Sequence, residues 1–198
     1  EKIAGCVGSR LTLSWNKSDD WMESLDLVAV RNTQGAKTAG LNMPTTLVPI
    51  LGRLTRAYID PSTFGSTSYG RAISGEITIE TGVSRRYGSD GNAYPNRVAL
   101  VGPRVVGASA IVEYDSTTLR TAYRAGTLQK VRFEAPGASL GGSAYNARFD
   151  IAGKWRAAPI SDDDGITTLA LELGAEYDSG LAAEIGAVVV CSLASLPS

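Results

Sequence analysis

The sequence predicts a mainly β fold: an antiparallel β-sandwich or partly closed barrel with one flanking α-helix at about residues 115–126. Several segments alternate apolar and polar residues with a period of two, as half-buried strands do. Another segment combines helix-end signals with helical spacing of its apolar residues. All-β chains of 198 residues commonly form one core, so residues 1–198 are predicted to be a single domain.

The strands with the clearest alternation should each have one wet face. In one of them the apolar face contains Ile73, Gly75, Ile77 and Ile79, and the polar face contains Ser74, Glu76, Thr78 and Glu80. Two later strands, at 144–151 and 166–172, alternate in the same way; Thr168, Ala170 and Glu172 form the polar face of the second. Further strands are predicted at 10–15, 25–30, 47–59, 104–114, 127–135 and 186–191.

The last of these strands has a different pattern. Its segment Ala187-Val188-Val189-Val190-Cys191 is apolar on both faces. This pattern suits a central strand, or one that meets a neighbouring subunit. Val188, Val189 and Val190 are therefore candidate subunit-interface residues.

The helix is predicted from its two ends and from one stripe between them. Asp115 and the hydroxyl residues after it can cap the first free amides, and Gly126 can close the helix in the left-handed conformation. Leu119, Ala122 and Tyr123 have helical spacing and should pack against the sheet. Two long loops are predicted at 31–46 and 84–96, and loops of this length tend to be functional or disordered.

The residue types needed for catalysis are sparse. The chain has no histidine, which removes the commonest general base and metal ligand. The run Asp162-Asp163-Asp164-Gly165 fails the spacing of a calcium loop, because Ile160 and Leu171 would occupy the first and twelfth positions. We interpret it as a solvated hairpin turn. No enzyme activity, metal or cofactor is predicted.

Charge and hydropathy restrict the partners. With 19 basic and 20 acidic residues, the chain lacks the basic footprint of a protein that grips nucleic acid. No apolar run approaches the roughly 20 residues that span a bilayer, so no membrane span is predicted. Cys6 and Cys191 are interpreted as reduced, although a disulfide between them stays open.

The run Ala-Ile-Ser-Gly-Glu-Ile-Thr-Ile-Glu-Thr-Gly at 72–82, the helix, and the hairpin segments within 144–178 resemble the major tail tube proteins of long-tailed (siphovirus-like) bacteriophages. The resemblance implies hexameric rings stacked into a hollow tail tube that conducts DNA during its delivery. It places the protein in the virion tail after assembly in the host cytoplasm. The implied partners are further copies, other tail proteins, and DNA that passes without specific binding. The family supplies no catalytic residues, and residues 1–46 carry no match.

A tube through which DNA slides should have an acidic or neutral wall, because basic residues would hold phosphates. Glu76, Glu80 and Glu172 are therefore candidate lumen-facing residues, unless they only keep an outer surface soluble. The loops 31–46 and 84–96 are candidate contacts to the next ring.

Two other function classes stay open. One is a monomeric carbohydrate- or receptor-binding β-sandwich of a tail tip or adhesin, with Trp21 or Trp155 in its pocket. The other is a hydrolase that uses acidic residues.

Overall fold

The structure is a computed structural model that describes residues 2–4, 6–33, 49–89, 91, 94–139, 144–163 and 165–190. These residues form mainly β-strands with one α-helix. The strands are β1 (Lys2–Ala4), β2 (Val7–Asn16), β3 (Met22–Val28), β4 (Arg31–Thr33), β5 (Arg56–Asp60), β6 (Ala72–Glu80), β7 (Val83–Arg86), β8 (Arg97–Leu100), β9 (Val105–Glu113), β10 (Gln129–Ser139), β11 (Ala144–Ala157), β12 (Ile160–Asp163), β13 (Ile166–Ala175) and β14 (Ile185–Val190), and the helix is α1 (Thr118–Ala125).

The predicted fold class is confirmed. The strand pairs of known register are antiparallel, and a single helix accompanies them in the described part of the chain. Over these residues the large sheet does not close into a barrel, so the fold is sandwich-like.

The chain divides into two compact units, the first formed by residues 1–13, 23–47 and 78–105 and the second by 14–22, 48–77 and 106–198. β2 and β6 contribute residues to both units. The single-domain prediction stays a prediction.

In the second unit the strands follow the order β2-β6-β9-β13-β11-β10-β5. The 14-residue β11 is long enough to have two neighbours along one edge. It pairs with β14 over Asn146–Ile151 and with β13 over Gly153–Ala157. β12 pairs with β13 to form a hairpin.

The core of the second unit lies on the apolar faces that the alternation predicts. Ile77, Ile151, Leu169 and Leu171 are at most 1% exposed. Aromatic rings fill the rest: Trp21 stacks on Phe149, with centroids 5.5 Å apart, and also contacts Trp15. Thr168 is an exception to the predicted wet face, because it is 2% exposed. It lies between β9 and β12, with Glu113 and Ser161 directly opposite it.

In the first unit, β2 lies beside β3. β7 and β8 form an antiparallel hairpin, in which Val83 lies opposite Leu100 and Arg86 opposite Arg97. The predicted loop 84–96 is therefore wrong at its start, since β7 occupies its first three residues. Of the predicted loop 31–46, residues 31–33 belong to β4, and the remainder lies outside the described residues.

The helix is shorter than predicted at its start. Thr117 is the N-cap residue, but no side chain caps the first turn, so the predicted carboxylate or hydroxyl cap does not form there. Gly126 closes the helix in the left-handed conformation, with φ 62°, as predicted. Leu119 is buried, whereas Tyr123 is 37% exposed, so the packed stripe is narrower than expected.

The predicted strand 47–59 is also shorter than expected. Its described part contains a 3-10 turn at Gly52–Leu54, and only β5 is a strand. The Gly52 amide donates to the Asp19 carbonyl at 3.0 Å. A Cβ at Gly52 would lie 2.0 Å from the Asn16 carbonyl oxygen. The close contact between these two turns therefore requires glycine at position 52.

Candidate assembly surfaces

β14 lies at an edge of the described sheet and has an apolar surface. It pairs through β11 alone among the described strands. Among the described strands β14 is therefore not a central strand. Val188 is 43% and Val189 is 62% exposed, while Val190 is half-buried. Exposed apolar edge strands are templates for pairing with another chain, which globular proteins normally blunt with charge or proline.

The register shows what each face of β14 continues. Val189 lies opposite Ala147, a residue of the buried core face, and Val188 lies opposite Arg148. Opposite residues share a face of the sheet, so Val189 continues the apolar layer of Ala147. At Val189 this layer is exposed. Val188 extends the polar face.

A buried ion pair joins β11, the strand that pairs with β14, to β10 on its other side. Arg132 on β10 and Asp150 on β11 are cross-strand partners. Arg132 Nε and Nη2 donate to the two carboxylate oxygens at 2.5 and 2.9 Å, and Asp150 is 5% exposed. This carboxylate raises the pKa of Arg132. Arg148 Nε lies 3.6 Å from Asp150 Oδ2 and adds a second positive charge.

The turn before β14 is held by Asp178. Its Oδ1 accepts from the amides of Gly180 and Leu181 at 2.9 and 3.0 Å. Its Oδ2 lies 3.1 Å from Lys130 Nζ. The hydrogen bond from Lys130, with those two amides, holds the pKa of Asp178 below its usual range. Sequence reasoning missed both ion pairs, because their partners are far apart in the chain.

Two of the three candidate lumen glutamates share one sheet face. Glu172 is exposed and lies opposite Ser109 of β9. Ser109 and Glu76 line the same cleft, so Glu76 faces the same side. β9 separates their strands, which places the two backbones about 10 Å apart across the sheet. Glu80 belongs to the first unit and lies 3.8 Å from Arg10, so its charge is partly balanced.

The cleft beside Glu76 belongs to the second unit and has a volume of about 680 Å³. The sequence did not reveal it, although the adjacent Asp19 and Asp20 were a visible signal. Asn16 shapes the turn at its rim by accepting the Ser18 and Asp19 amides at 2.7 and 2.8 Å. Three lining residues are acidic and none of the described lining residues is basic; they are Ser14, Trp15, Asn16, Asp19, Asp20, Met22, Ser74, Gly75, Glu76, Ser109 and Ile111.

The remaining candidate sites are simple. Asp162 and Asp163 are exposed, and the Gly165 amide donates to Asp162 Oδ1 at 3.0 Å, which confirms the hairpin turn. Within the described ranges, no group of acidic residues or cysteines is arranged to hold a metal ion. No helix in these ranges is long and apolar enough to cross a membrane. Cys6 is an exposed free thiol, and Cys191 lies outside the described residues.

Comparison with models of known protein families and with curated proteins finds no match to this chain.

Proposed function

We propose that this chain is a structural subunit that assembles into closed rings, which stack into a hollow tube of the phage tail-tube kind. In this proposal the rings are hexameric, the tube belongs to a virion tail, and DNA passes through it without specific binding. The resemblance described above supplies the ring, the tube and the DNA. The observation that carries the proposal is the exposed, doubly apolar edge strand β14.

Three features of β14 favour a subunit contact. Its outer edge has no partner strand among the described residues. Val188 and Val189 expose apolar surface on both of its faces. Ion pairs hold its surroundings, since Asp178 anchors the turn before it and the Arg132–Asp150 pair joins its neighbour β11 to β10. A ring joins subunits head to tail, so β14 must meet a different patch on the next copy.

The shared face of Glu76 and Glu172 supports an acidic tube wall. Both carboxylates belong to strands whose opposite faces are apolar and buried, and Glu172 is exposed. A wall with such groups repels phosphates at short range and lets DNA slide. Glu80 fits this role less well because Arg10 lies beside it.

The carbohydrate-binding alternative receives less support. It requires an accessible tryptophan platform in a pocket. Trp15 and Trp155 are 4% and 5% exposed, and Trp21 is held between Trp15 and Phe149. Trp15 and Trp155 are therefore too buried to form a sugar platform, and the Trp21 ring already stacks on two aromatic neighbours.

The test is electron microscopy and sedimentation of the purified protein at rising concentration, with Val189→Asp as the variant. Because Val189 is 62% exposed, the variant subunit should fold with a change in unfolding free energy within about 0.5 kcal/mol. It should form no rings, because a charge enters the apolar contact.

Ile166→Asp is the matched control, since Ile166 is also an exposed apolar strand residue, at 44%, and should assemble normally. Normal tubes from Val189→Asp would exclude β14 from the contact. Wild-type protein that stays monomeric at all concentrations would refute the proposed function.

A further inference from the structure

β3 is a second edge strand with exposed apolar residues. Among the described strands it pairs with β2 alone, and six of its seven residues are exposed. Met22 is 64%, Leu25 is 51% and Leu27 is 50% exposed. Lysine, proline or a covering segment normally protects such an edge from pairing. β3 has no lysine or proline, and its side chains stay exposed, so this strand favours a partner.

The charges of β3 restrict which strand can pair with it. Glu23 and Asp26 are its two charged residues, and both are carboxylates. Two copies of β3 would bring these like charges together, which destabilises a strand pair. β14 has no charged residue, so nothing on it repels β3. The two strands also match in length, with six residues in β14 and seven in β3.

The two faces of β14 match the two faces of β3. Successive side chains of a strand point to opposite faces of the sheet. Val188 and Val189 therefore face opposite sides, and Leu25 and Asp26 do the same. A pairing that places Leu25 and Leu27 on the Val189 side buries apolar surface there. The same pairing places Asp26 on the Val188 side.

An arginine lies beside Val188 on that side. Arg148 is the cross-strand partner of Val188, and its side chain is 36% exposed. Its Nε lies 3.6 Å from Asp150, a carboxylate that already accepts two hydrogen bonds from Arg132. A strand added to β14 would lie about 10 Å from β11, two strand spacings away. An extended arginine and an aspartate span this distance together, so Asp26 of the added strand would reach the Arg148 guanidinium.

We infer that β3 is the patch that β14 meets, so that β14 of one copy pairs with β3 of the next copy. Val189 packs against Leu25 and Leu27 in this contact, and Asp26 lies beside Arg148. The inference rests on the proposed assembly into rings and deepens it, because it names the second surface of the subunit contact. Each copy has one β14 and one β3, so the pairing is head to tail, and a closed ring uses both strands of every copy.

Disulfide cross-linking tests the pairing directly. In a background with Cys6→Ser and Cys191→Ser, Val189→Cys is combined in turn with Leu25→Cys and with Leu27→Cys. Two combinations are needed because the register between the strands sets which leucine lies opposite Val189. After mild oxidation of assembled protein, at least one combination should give covalent oligomers up to the closed ring on a non-reducing gel.

Two controls share this background. Val189→Cys/Asp26→Cys should give no cross-link, because its two thiols lie on opposite faces of the paired strands. Val189→Cys alone should also give none, because β14 does not meet a second β14 in a head-to-tail ring.

A charge reversal tests the contact between Asp26 and Arg148. Asp26 is exposed, so Asp26→Lys should fold, which thermal melts check. It should lower the association constant of the subunits by about tenfold or more, because it sets a like charge beside Arg148. Adding Val188→Glu, at a position 43% exposed, supplies an acidic partner and should restore most of the lost assembly. Asp163→Lys, at an exposed position of β12, is the matched control and should assemble as the wild type does.

The outcomes separate the two proposals. Rings from Asp26→Lys at wild-type yield, or rings that cross-link with neither leucine variant, would overturn the pairing with β3 and leave the ring itself standing. Cross-linked dimers of Val189→Cys alone would show that β14 pairs with itself, and they would overturn the inference too. Absence of rings in wild-type protein would instead refute the proposed function and, with it, the contact.

Discussion

Trp15 and Phe133 meet edge to face, with ring centroids 5.7 Å apart and planes at 66°. Their strands, β2 and β10, are five places apart in the sheet order. In a flat sheet that separation would be about 24 Å. The sheet of the second unit must therefore bend strongly, so that its two ends cover a common core.

Gly75 allows this contact, and its replacement should destabilise the protein. A Cβ at Gly75 would lie 2.6 Å from Trp15 Nε1, and the indole cannot withdraw because Trp21 and Phe133 hold it. Gly75→Ala should therefore lower the free energy of unfolding by about 1–3 kcal/mol, as overpacking does. The measurement is urea denaturation followed by tryptophan fluorescence.

Gly70→Ala is the matched control, because a Cβ there meets nothing within 4 Å. It should be neutral or slightly stabilising. Equal unfolding free energies for the two variants would show that the indole moves freely.

Replacement of Asp150 should lower the free energy of unfolding far more than replacement of an exposed ion-pair partner. Asp150→Ala leaves Arg132, whose side chain is 19% exposed, without its bidentate partner. Breaking such a buried pair costs about 3–5 kcal/mol. Glu176→Ala breaks the pair with Lys154, in which both side chains are about half exposed, and should cost at most about 1 kcal/mol. Denaturant unfolding of both variants measures the two losses of unfolding free energy. Similar losses would contradict the prediction.

Asp178 should make stability depend on acid pH. Its pKa is lowered in the folded protein by Lys130 and by the amides of the turn, so the unfolded chain binds a proton more readily. Its contribution is therefore complete above the ordinary aspartate pKa of about 3.9 and is lost as pH falls through the lower folded value.

Asp178→Asn should be less stable than wild type at pH 7, and the difference should shrink below about pH 4. The pKa of Asp60 is lowered too, by hydrogen bonds from Thr67, Ser62 and Thr63. Asp60 is present in both proteins, so its effect on stability cancels in the comparison. Thermal melts from pH 2 to 7 give the comparison. A constant difference across that range would contradict the assignment.

Local alternation predicted the fold class and the inward faces of β6, β11 and β13, because burial on one side of a sheet leaves a period of two in the sequence. Ile77 and Leu171 show this. Whether β14 lies at the centre or at the edge of the sheet could not be predicted, because a strand that pairs with a neighbouring subunit has the same apolar pattern as a central strand. The Arg132–Asp150 pair depends on a register between segments 18 residues apart. The start of the predicted strand 47–59 and the burial of Thr168 were misjudged because contacts with distant segments decide both.

The last prediction concerns the acidic face of Glu76 and Glu172. In a background with Cys6→Ser and Cys191→Ser, Glu172→Cys places one thiol on this face at an exposed position. Free subunits should react with both a small maleimide and a polymer-linked one. If the face lines a tube, assembled protein should react with the small reagent only, because the bulky one cannot diffuse along the bore. Thr121→Cys, on the exposed side of α1, should react with both reagents in either state. Equal labelling of Glu172→Cys by the two reagents in assembled tubes would place this face outside the lumen.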